Sequence, residues 1–379
     1  MHKSILFSLL LTSVVLHADQ SEEQNHRVFS YVAPFGGTLA VTKSETTSTK
    51  SADTTETNMI TPPVLPTVKT GADVFVTADF IYWKAESDGL DYAYTGGVPG
   101  GGFNSQVNAS NGHLKSPTFT YEPGFKAGLG VLANHDGWDF YAEYTWLSVA
   151  SADTESVLLG DLTNPVQGTN SWGYLGISPI CTQASASWQL RFNALDFELG
   201  RNFWVSKRLT LRPHTGFKFS WLQQEYSILS SNLIISGDVT TGALTQSFEL
   251  KQFGIGIRSG LDTAYYLWNK WAIFSDFAIT GMWNSFDTSR KDLYQVFPGD
   301  ALYTNVNVHQ KPHTISSILE IDIGLRFETV FGKGGYKYML QAGWETQVWF
   351  SQEKLIRFNT HTADDLTFEG LTIKTGFWF

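Results

Sequence analysis

The 379-residue sequence predicts an all-β fold: a transmembrane, antiparallel, up-and-down β-barrel of about ten strands, with twelve as the alternative. Three observations predict it. From Val74 onward apolar residues recur at every second position, while the positions between them collect charge. After the N-terminus no apolar run reaches the roughly 18 residues of a spanning helix. Short and long connections between the alternating stretches take turns without a break. Successive strand side chains point to opposite faces, so one apolar face and one charged face imply lipid outside and water inside.

Composition agrees with that reading. Aromatics make up 15% of the chain, with 13 Trp, 15 Tyr and 27 Phe, yet mean hydropathy is slightly negative. Alternation halves the average hydrophobicity of a membrane strand, so a barrel looks compositionally soluble. The net charge of -10 argues against nucleic-acid binding through a basic surface. The one cysteine, Cys181, excludes an internal disulfide framework and a multi-cysteine metal site, and reads as a free thiol.

Met1 to Ala18 has a basic start (His2, Lys3), an apolar run from Ile5 to Leu16 and Ala18 at a cleavage position, which reads as a secretory signal peptide over residues 1–18. Residues 19–72 show no sustained periodicity, are dense in Thr, Ser, Lys and Glu from Thr38, and end in Pro62, Pro63 and Pro66. They bury too little apolar surface to offset the entropy of ordering, and read as a flexible periplasmic lead. The barrel takes residues 73–379.

The first stretch sets Val74, Val76, Ala78, Phe80 and Tyr82 against Thr77, Asp79 and Trp83. The second sets Phe125, Ala127, Leu129 and Val131 against Lys126, Gly128 and Gly130. In the third, Trp138, Phe140, Ala142, Tyr144 and Trp146 oppose Asp139, Tyr141, Glu143 and Thr145. The fourth changes phase near Asn193, from Trp188, Leu190 and Phe192 to Leu195, Phe197 and Leu199. A single bulge there would keep Arg191, Asn193, Asp196 and Glu198 on one side. The fifth alternates Leu209, Leu211, Phe217, Phe219 and Trp221 with Arg208, Arg212, His214 and Lys218, a second face that no dry core accepts without matched partners.

Phe253, Ile255, Ile257, Leu261 and Tyr265 of the sixth oppose Gly254, Gly256, Arg258, Gly260 and Asp262. The seventh sets Trp271, Ile273, Phe277 and Ile279 against Asp276, Ala278 and Thr280, and the eighth sets Leu319, Ile321, Ile323, Leu325 and Phe327 against Glu320, Asp322, Arg326 and Glu328. In the ninth, Tyr338, Leu340, Ala342, Trp344 and Val348 face away from Lys337, Gln341, Glu345 and Gln347. The tenth is LTIKTGFWF, with Leu371, Ile373, Thr375, Phe377 and Phe379 on one face and Thr372, Lys374, Gly376 and Trp378 on the other. Its terminal aromatics, Phe377 and Phe379, resemble the signal by which barrel-assembly machinery recognises outer-membrane strands.

The short connections are Ala133–Gly137, Ser206–Lys207, Trp268–Lys270 and Phe331–Gly335; the long ones are Lys84–Glu122, Leu147–Ala186, Leu222–Leu250, Asn284–Ser316 and Ser351–Asp365. Tight periplasmic turns and long extracellular loops follow that rhythm, and a soluble sandwich has no reason to keep it. Within Leu222–Leu250, the segments Tyr226–Ser236 and Ala243–Leu250 could extend into another hairpin, which is the source of the twelve-strand alternative.

The segment VFVTADFIYWKAESDGLDYAYTGG from Val74, the FKAGLGV stretch from Phe125 and the RFNALDFELGR block from Arg191 resemble the Legionella-type pore-forming outer-membrane protein family, whose members in environmental chlamydiae are described as major-outer-membrane-protein-like. The resemblance runs from about Asp73 to Phe379 and implies a porin of the bacterial outer membrane. The Ser- and Thr-rich lead lies outside the family pattern, and the cysteine network of the better-known chlamydial porins is missing.

The pore-lining candidates are the charged residues of the inward face: Asp79, Lys126, Asp139, Glu143, Arg191, Asp196, Glu198, Arg208, Arg212, His214, Lys218, Arg258, Asp262, Asp276, Glu320, Asp322, Arg326, Glu345 and Lys374, with Glu328 and Lys337 beside them. Charges around a wet lumen make a field that small hydrophilic solutes and ions experience in passage. Near balance of sign predicts weak, slightly cationic selectivity, while Arg208, Arg212 and Lys218 with Arg191 and His214 suggest a local basic stripe for anionic solutes. Inward glycines serve curvature or make room for large opposing side chains. The GLDYAYTGG run reads as a surface loop, with an inward constriction as the other option.

Three functional classes remain open from the sequence. A passive channel is the leading one; a surface-exposed structural or adhesin barrel with a plugged lumen is the alternative, and a barrel enzyme is third. Loop histidines (His113, His309, His313, His361) occur without a GxSxG or HExxH motif. No cofactor or metal is expected. Expected partners are outer-membrane lipid, the barrel-assembly machinery and small solutes, and a homo-oligomer is compatible with the composition.

Overall fold

The computed structural model describes residues 73–95, 113–133, 137–156, 166–168, 179–235, 238–331, 336–358 and 364–379. The expected signal peptide (1–18), the lead (19–72) and His361 lie outside the described residues. All described residues belong to the second of two units of the chain, Ser51–Phe379.

Ten long strands form one closed sheet: β1 Asp73–Ser87, β2 Tyr121–Leu132, β3 Trp138–Ser156, β4 Ile180–Arg201, β5 Leu209–Ile235, β6 Ala243–Trp268, β7 Trp271–Gln295, β8 His313–Phe331, β9 Tyr336–Glu353 and β10 Asp364–Trp378. Each pairs antiparallel with its neighbour in sequence, and β10 returns to β1. At that seam Val74 and Phe379 exchange backbone hydrogen bonds of 3.3 and 3.1 Å. Closure satisfies the edge groups that an open sheet would expose to lipid.

The outer wall carries the apolar band a bilayer requires. Phe217, Ile257 and Ile323 are 54%, 64% and 53% exposed, so they point out of the barrel rather than into a central core. Trp138, Trp146, Trp221, Trp271 and Trp283 border the band, also turned outward, as amphipathic rings at the headgroup zone do.

Two features of the strands differ from the sequence reading. The Leu222–Leu250 segment is not a long loop and adds no pair of strands to the barrel, only a two-residue pairing of Asp238 and Val239 with Ile235 and Ile234 at its tip: β5 and β6 run on to Ile235 and from Ala243 in unbroken mutual register, Ser231 opposite Ala243 through Leu209 opposite Tyr265. The barrel therefore has ten strands. In β4 there is no bulge: pairing with β3 runs without a shift from Arg201 to Gln183, and inward and outward positions alternate throughout.

Both departures have one physical cause. Within the bilayer the strands are apolar outside and polar inside; above it the outer wall of β4 and β5 turns polar and their inner face apolar, so the hydrophobic sense inverts while the side-chain parity stays the same. In β4, Leu195 and Phe197 face out and Asp196 faces in, but further along Trp188, Leu190 and Phe192 face in and Arg191 faces out.

Candidate functional site

The lumen has two zones, and position along the strands assigns each side chain to one of them. The inner face of the membrane-level and periplasmic half holds the charged residues around a cavity of about 190 Å³. Arg212 of β5 gathers three carboxylates: its Nε and Nη2 donate to Asp139 (2.6 to 3.2 Å), and Nη1 donates to Glu198 at 2.9 Å and Asp262 at 2.7 Å. His214, two residues on, lies between Asp262 (3.3 Å) and Glu198 (3.6 Å). Arg258 of β6 joins Glu198 to Glu320, donating to the latter at 2.8 Å, and Lys218 joins Glu320 (3.1 Å) to Asp196 (2.8 Å).

The opposite wall repeats the arrangement. Lys126 of β2 donates to Glu345 of β9 at 2.7 and 2.9 Å and lies 3.9 Å from Glu143. Lys374 of β10 reaches Glu143 at 2.8 Å and Asp79 at 3.6 Å. Toward the periplasm Arg326 donates to Gln341 at 3.1 Å, Gln341 to Asp276 at 3.3 Å, and Lys337 pairs with Glu328 at 3.1 Å. Such mutual pairing lowers the cost of charge in a narrow bore. It is incomplete: Asp79, Asp196, Asp276 and Asp322 each bury one carboxylate oxygen with no hydrogen-bond partner. Across four adjacent strands Asp262, Asp276, Asp322 and Glu345 stand in direct register, a row of like charge on one wall.

The extracellular half holds a large apolar cluster beside a buried polar chain in which Gln252 links Ser220 to Asn284, and Ser316 links Asn284 to Gln352. Phe192 of β4 crosses the bore to Phe368 of β10 (ring centroids 4.6 Å) and Trp349 of β9 (5.2 Å), and Phe368 also meets Trp83 of β1 at 6.0 Å. All four rings are buried. The stopper is tied to the polar zone beneath it, because Trp83 Nε1 donates to Thr372 Oγ1 at 3.0 Å and Lys126 Nζ lies 4.8 Å from the Trp83 ring. Loops add to it. The run after β1 turns inward, burying Leu90, Tyr92 and Ala93, and Tyr226 Oη donates to Leu90 O at 2.7 Å. This is the inward option for GLDYAYTGG, not a plain surface loop. Leu355 and Ile356, just past β9, are also buried, and Arg290, sandwiched between the rings of Phe248 and Phe358, donates to Ile356 O at 3.2 Å.

Of the pore-lining candidates, Asp79, Lys126, Asp139, Glu143, Asp196, Glu198, Arg212, His214, Lys218, Arg258, Asp262, Asp276, Glu320, Asp322, Arg326, Glu345 and Lys374 are on the inner face. Two are not. Arg191 is exposed on the outer wall because β4 keeps its parity, and Arg208 is exposed in the periplasmic turn, where Ser206 Oγ accepts its amide proton. The expected basic stripe does not form: carboxylates hold Arg212, His214 and Lys218, and the other two members face elsewhere. Near balance fails with it, since the cavity meets eleven carboxylates but only six lysines and arginines (Lys126, Arg212, Arg258, Arg326, Lys337 and Lys374) among its lining residues.

Inward glycines make room for opposing side chains rather than serving curvature alone. A Cβ on Gly130 would collide with the Phe75 ring, and one on Gly128 with Tyr141. The stopper is not read from the sequence because Phe192 passes for lipid-facing across the expected bulge, and although Trp83 falls on the inner face with Thr77 and Asp79, nothing in the sequence names its partners. The signal that finds it is the unbroken parity from Phe192 to Asp196, which puts both on the same inner face.

The loop histidines do not assemble a catalytic group among the described residues. His309 pairs with Asp287 at 2.5 Å, His313 stacks on Trp283 and His113 is exposed.

The family model described as "Legionella pneumophila major outer membrane protein precursor" matches residues 64–379. No curated protein matches the chain. Among solved structures the chain is similar to the outer membrane protease OmpT from Escherichia coli, at 10% identity over 81% of this chain and 96% of that one, TM-score 0.37. It is also similar to a major outer membrane protein from Thermus thermophilus, at 11% identity over 82% and 100% of the two chains, TM-score 0.28, and to the toluene transporter TodX of P. putida, at 12% over 83% and 92%, TM-score 0.24. At such identities and scores these likenesses carry no argument about activity.

Proposed function

Because the chain belongs to the Legionella major outer membrane protein family, matched over residues 64–379, we propose that this outer-membrane barrel is a narrow channel for small hydrophilic solutes and ions, cations foremost, closed at rest by its extracellular half. The observation that carries the reading is that Asp79, Asp196, Asp276 and Asp322, all lining the cavity, each bury one carboxylate oxygen without a hydrogen-bond partner. An interior selected for stability alone has no use for them, since an unpartnered buried carboxylate is costly. Water or a passing cation satisfies them. The excess of carboxylates over lysines and arginines favours cations, and the mechanism needs no cofactor and no turnover.

One observation favours a second reading. Phe192, Trp349, Phe368 and Trp83 close the bore with a dry aromatic layer, and small barrels fill their interiors for stability. A structural or adhesive barrel with a plugged lumen would look like this. Planar-bilayer recordings of the wild type and of a Phe192→Ala/Phe368→Ala variant separate the two. Discrete steps in the wild type support the channel, and steps confined to the trimmed variant locate its closure at the stopper. Silence of both, in protein that remains folded and heat-modifiable, overturns the channel in favour of the plug.

A further inference from the structure

The corrected orientation of Arg191 leaves a cation on the outer wall for which the lumen has no use. It stands in register with Gln223 of β5, which stands in register with Lys251 of β6, so three adjacent strands present Arg191, Gln223 and Lys251 outward in one row. Arg191 and Lys251 are both exposed, and neither forms an ion pair or hydrogen bond with any described residue. Asp287, next to Lys251 in the row, is engaged by His309 and Lys311 instead. Two other outward cations near this rim are paired: Lys84 is held by Glu86 and Glu369, each at 2.9 Å, and Lys311 by Asp287 at 3.1 Å.

The row lies two residues beyond the aromatic border of the apolar band. Directly beneath it come Asn193, Trp221 and Phe253, the last two with ring centroids 6.0 Å apart. Two residues of strand amount to about 7 Å along the chain, and aromatic borders sit at headgroup level. The end of the barrel concerned is that of the long loops, hence the outer leaflet. The row above sets the limit of the patch, since Glu225 and Glu249 face each other there and Gln223 donates to Glu225 at 3.0 Å. A phosphate rising past Arg191 meets like charge; one at its level meets two cations whose strands lie about 10 Å apart.

We propose that Arg191 and Lys251, with Gln223 between them and the Trp221–Phe253 pair below, form an outward-facing site for the phosphate of a phosphorylated outer-leaflet lipid. Its acyl chains lie along the aromatic pair, and the phosphate bridges the two side chains. The site is independent of whether the lumen conducts.

The test uses the full-length protein in vesicles of phosphatidylcholine with or without phosphatidic acid, scored by the lipid retained in native mass spectrometry and by the unfolding midpoint. Wild type is expected to retain phosphatidic acid preferentially, and Arg191→Gln/Lys251→Gln to lose about tenfold of that preference, given typical cation–headgroup attraction. Lys84→Gln, which removes a cation already paired, should leave it intact. An unchanged preference in the double variant, or an equal loss in Lys84→Gln, overturns the proposal. Inorganic phosphate without phosphatidic acid should not move the midpoint; a shift that the double variant abolishes would mean a soluble-anion site and overturn the lipid assignment. Both substituted side chains are exposed, and heat-modifiable mobility checks that the barrel has formed.

Discussion

At the barrel mouth, Glu353 is buried at the end of β9, where its Oε1 accepts the Leu355 amide at 2.6 Å and its Oε2 has no partner. Burial pushes its carboxyl up to about 7, against the opposing pull of Arg357 and Lys354, and Asp364 adds to the rise. A carboxyl with a raised folded pKa favours the folded state fully below its unfolded value, and that contribution is lost as pH climbs through about 7. The full loss is roughly 3 kcal/mol at about 1.4 kcal/mol per pH unit of displacement. The loop at 354–358 should therefore hold best in acid and loosen toward pH 8, and Glu353→Gln should flatten that dependence, as read by limited proteolysis of the loop between pH 4 and 8. A second residue reports on the same region. Cys181 is buried with Sγ 3.6 Å from Val166 O, and burial pushes its thiol up to about 12. Since the thiolate is the reactive form, maleimide should label the native barrel at least a hundredfold more slowly than the unfolded chain at pH 7.5; rapid labelling would show that the patch over it opens.

Among the elements, β10 depends most visibly on its end. Phe377 packs against Phe331 and Tyr336, Trp378 stacks on Phe75 inside, and Phe379 completes the backbone pairing with Val74. Removing Phe379 deletes the last pairing of the closing seam, so the yield of heat-modifiable barrel in membranes should fall several-fold while the amount of exported chain is unchanged; equal yields would remove Phe379 from assembly. Alternation and the rhythm of connections made strand order and closure legible in the sequence, and parity placed most inward charges. What misled was the assumption that apolar means lipid-facing along a whole strand. In β4, Phe192 and Phe197 are both large and apolar, yet one is buried inside the barrel and the other is exposed on its outer wall. The same inversion makes Tyr226 and Ile228 of β5 read as part of a separate hairpin, although they continue the strand with their side chains turned inward. Only the depth of each residue relative to the bilayer decides the case, and periodicity does not record depth.

For the whole molecule, stability and passage make opposite demands on the lumen. Directly opposed like charges in a sheet are destabilising, on the order of 0.2–1 kcal/mol per pair, and Asp322 stands between Asp276 and Glu345 without an ion pair to any described cation. Its Oδ1 lies over Gly343, where a Cβ would displace it, so the backbone has been cleared for this carboxylate. Asp322→Asn keeps the shape, relieves the repulsion and removes one negative charge from the bore. If the row faces permeating ions, two effects should appear together: a modest rise in unfolding midpoint, and a reversal potential in a salt gradient that moves toward zero from the cation side. Adding Asp276→Asn should extend both. A gain in stability with unaltered selectivity in a conducting barrel would place the ion path elsewhere in the bore, whereas a loss of stability would mean that an unseen partner already neutralises the row.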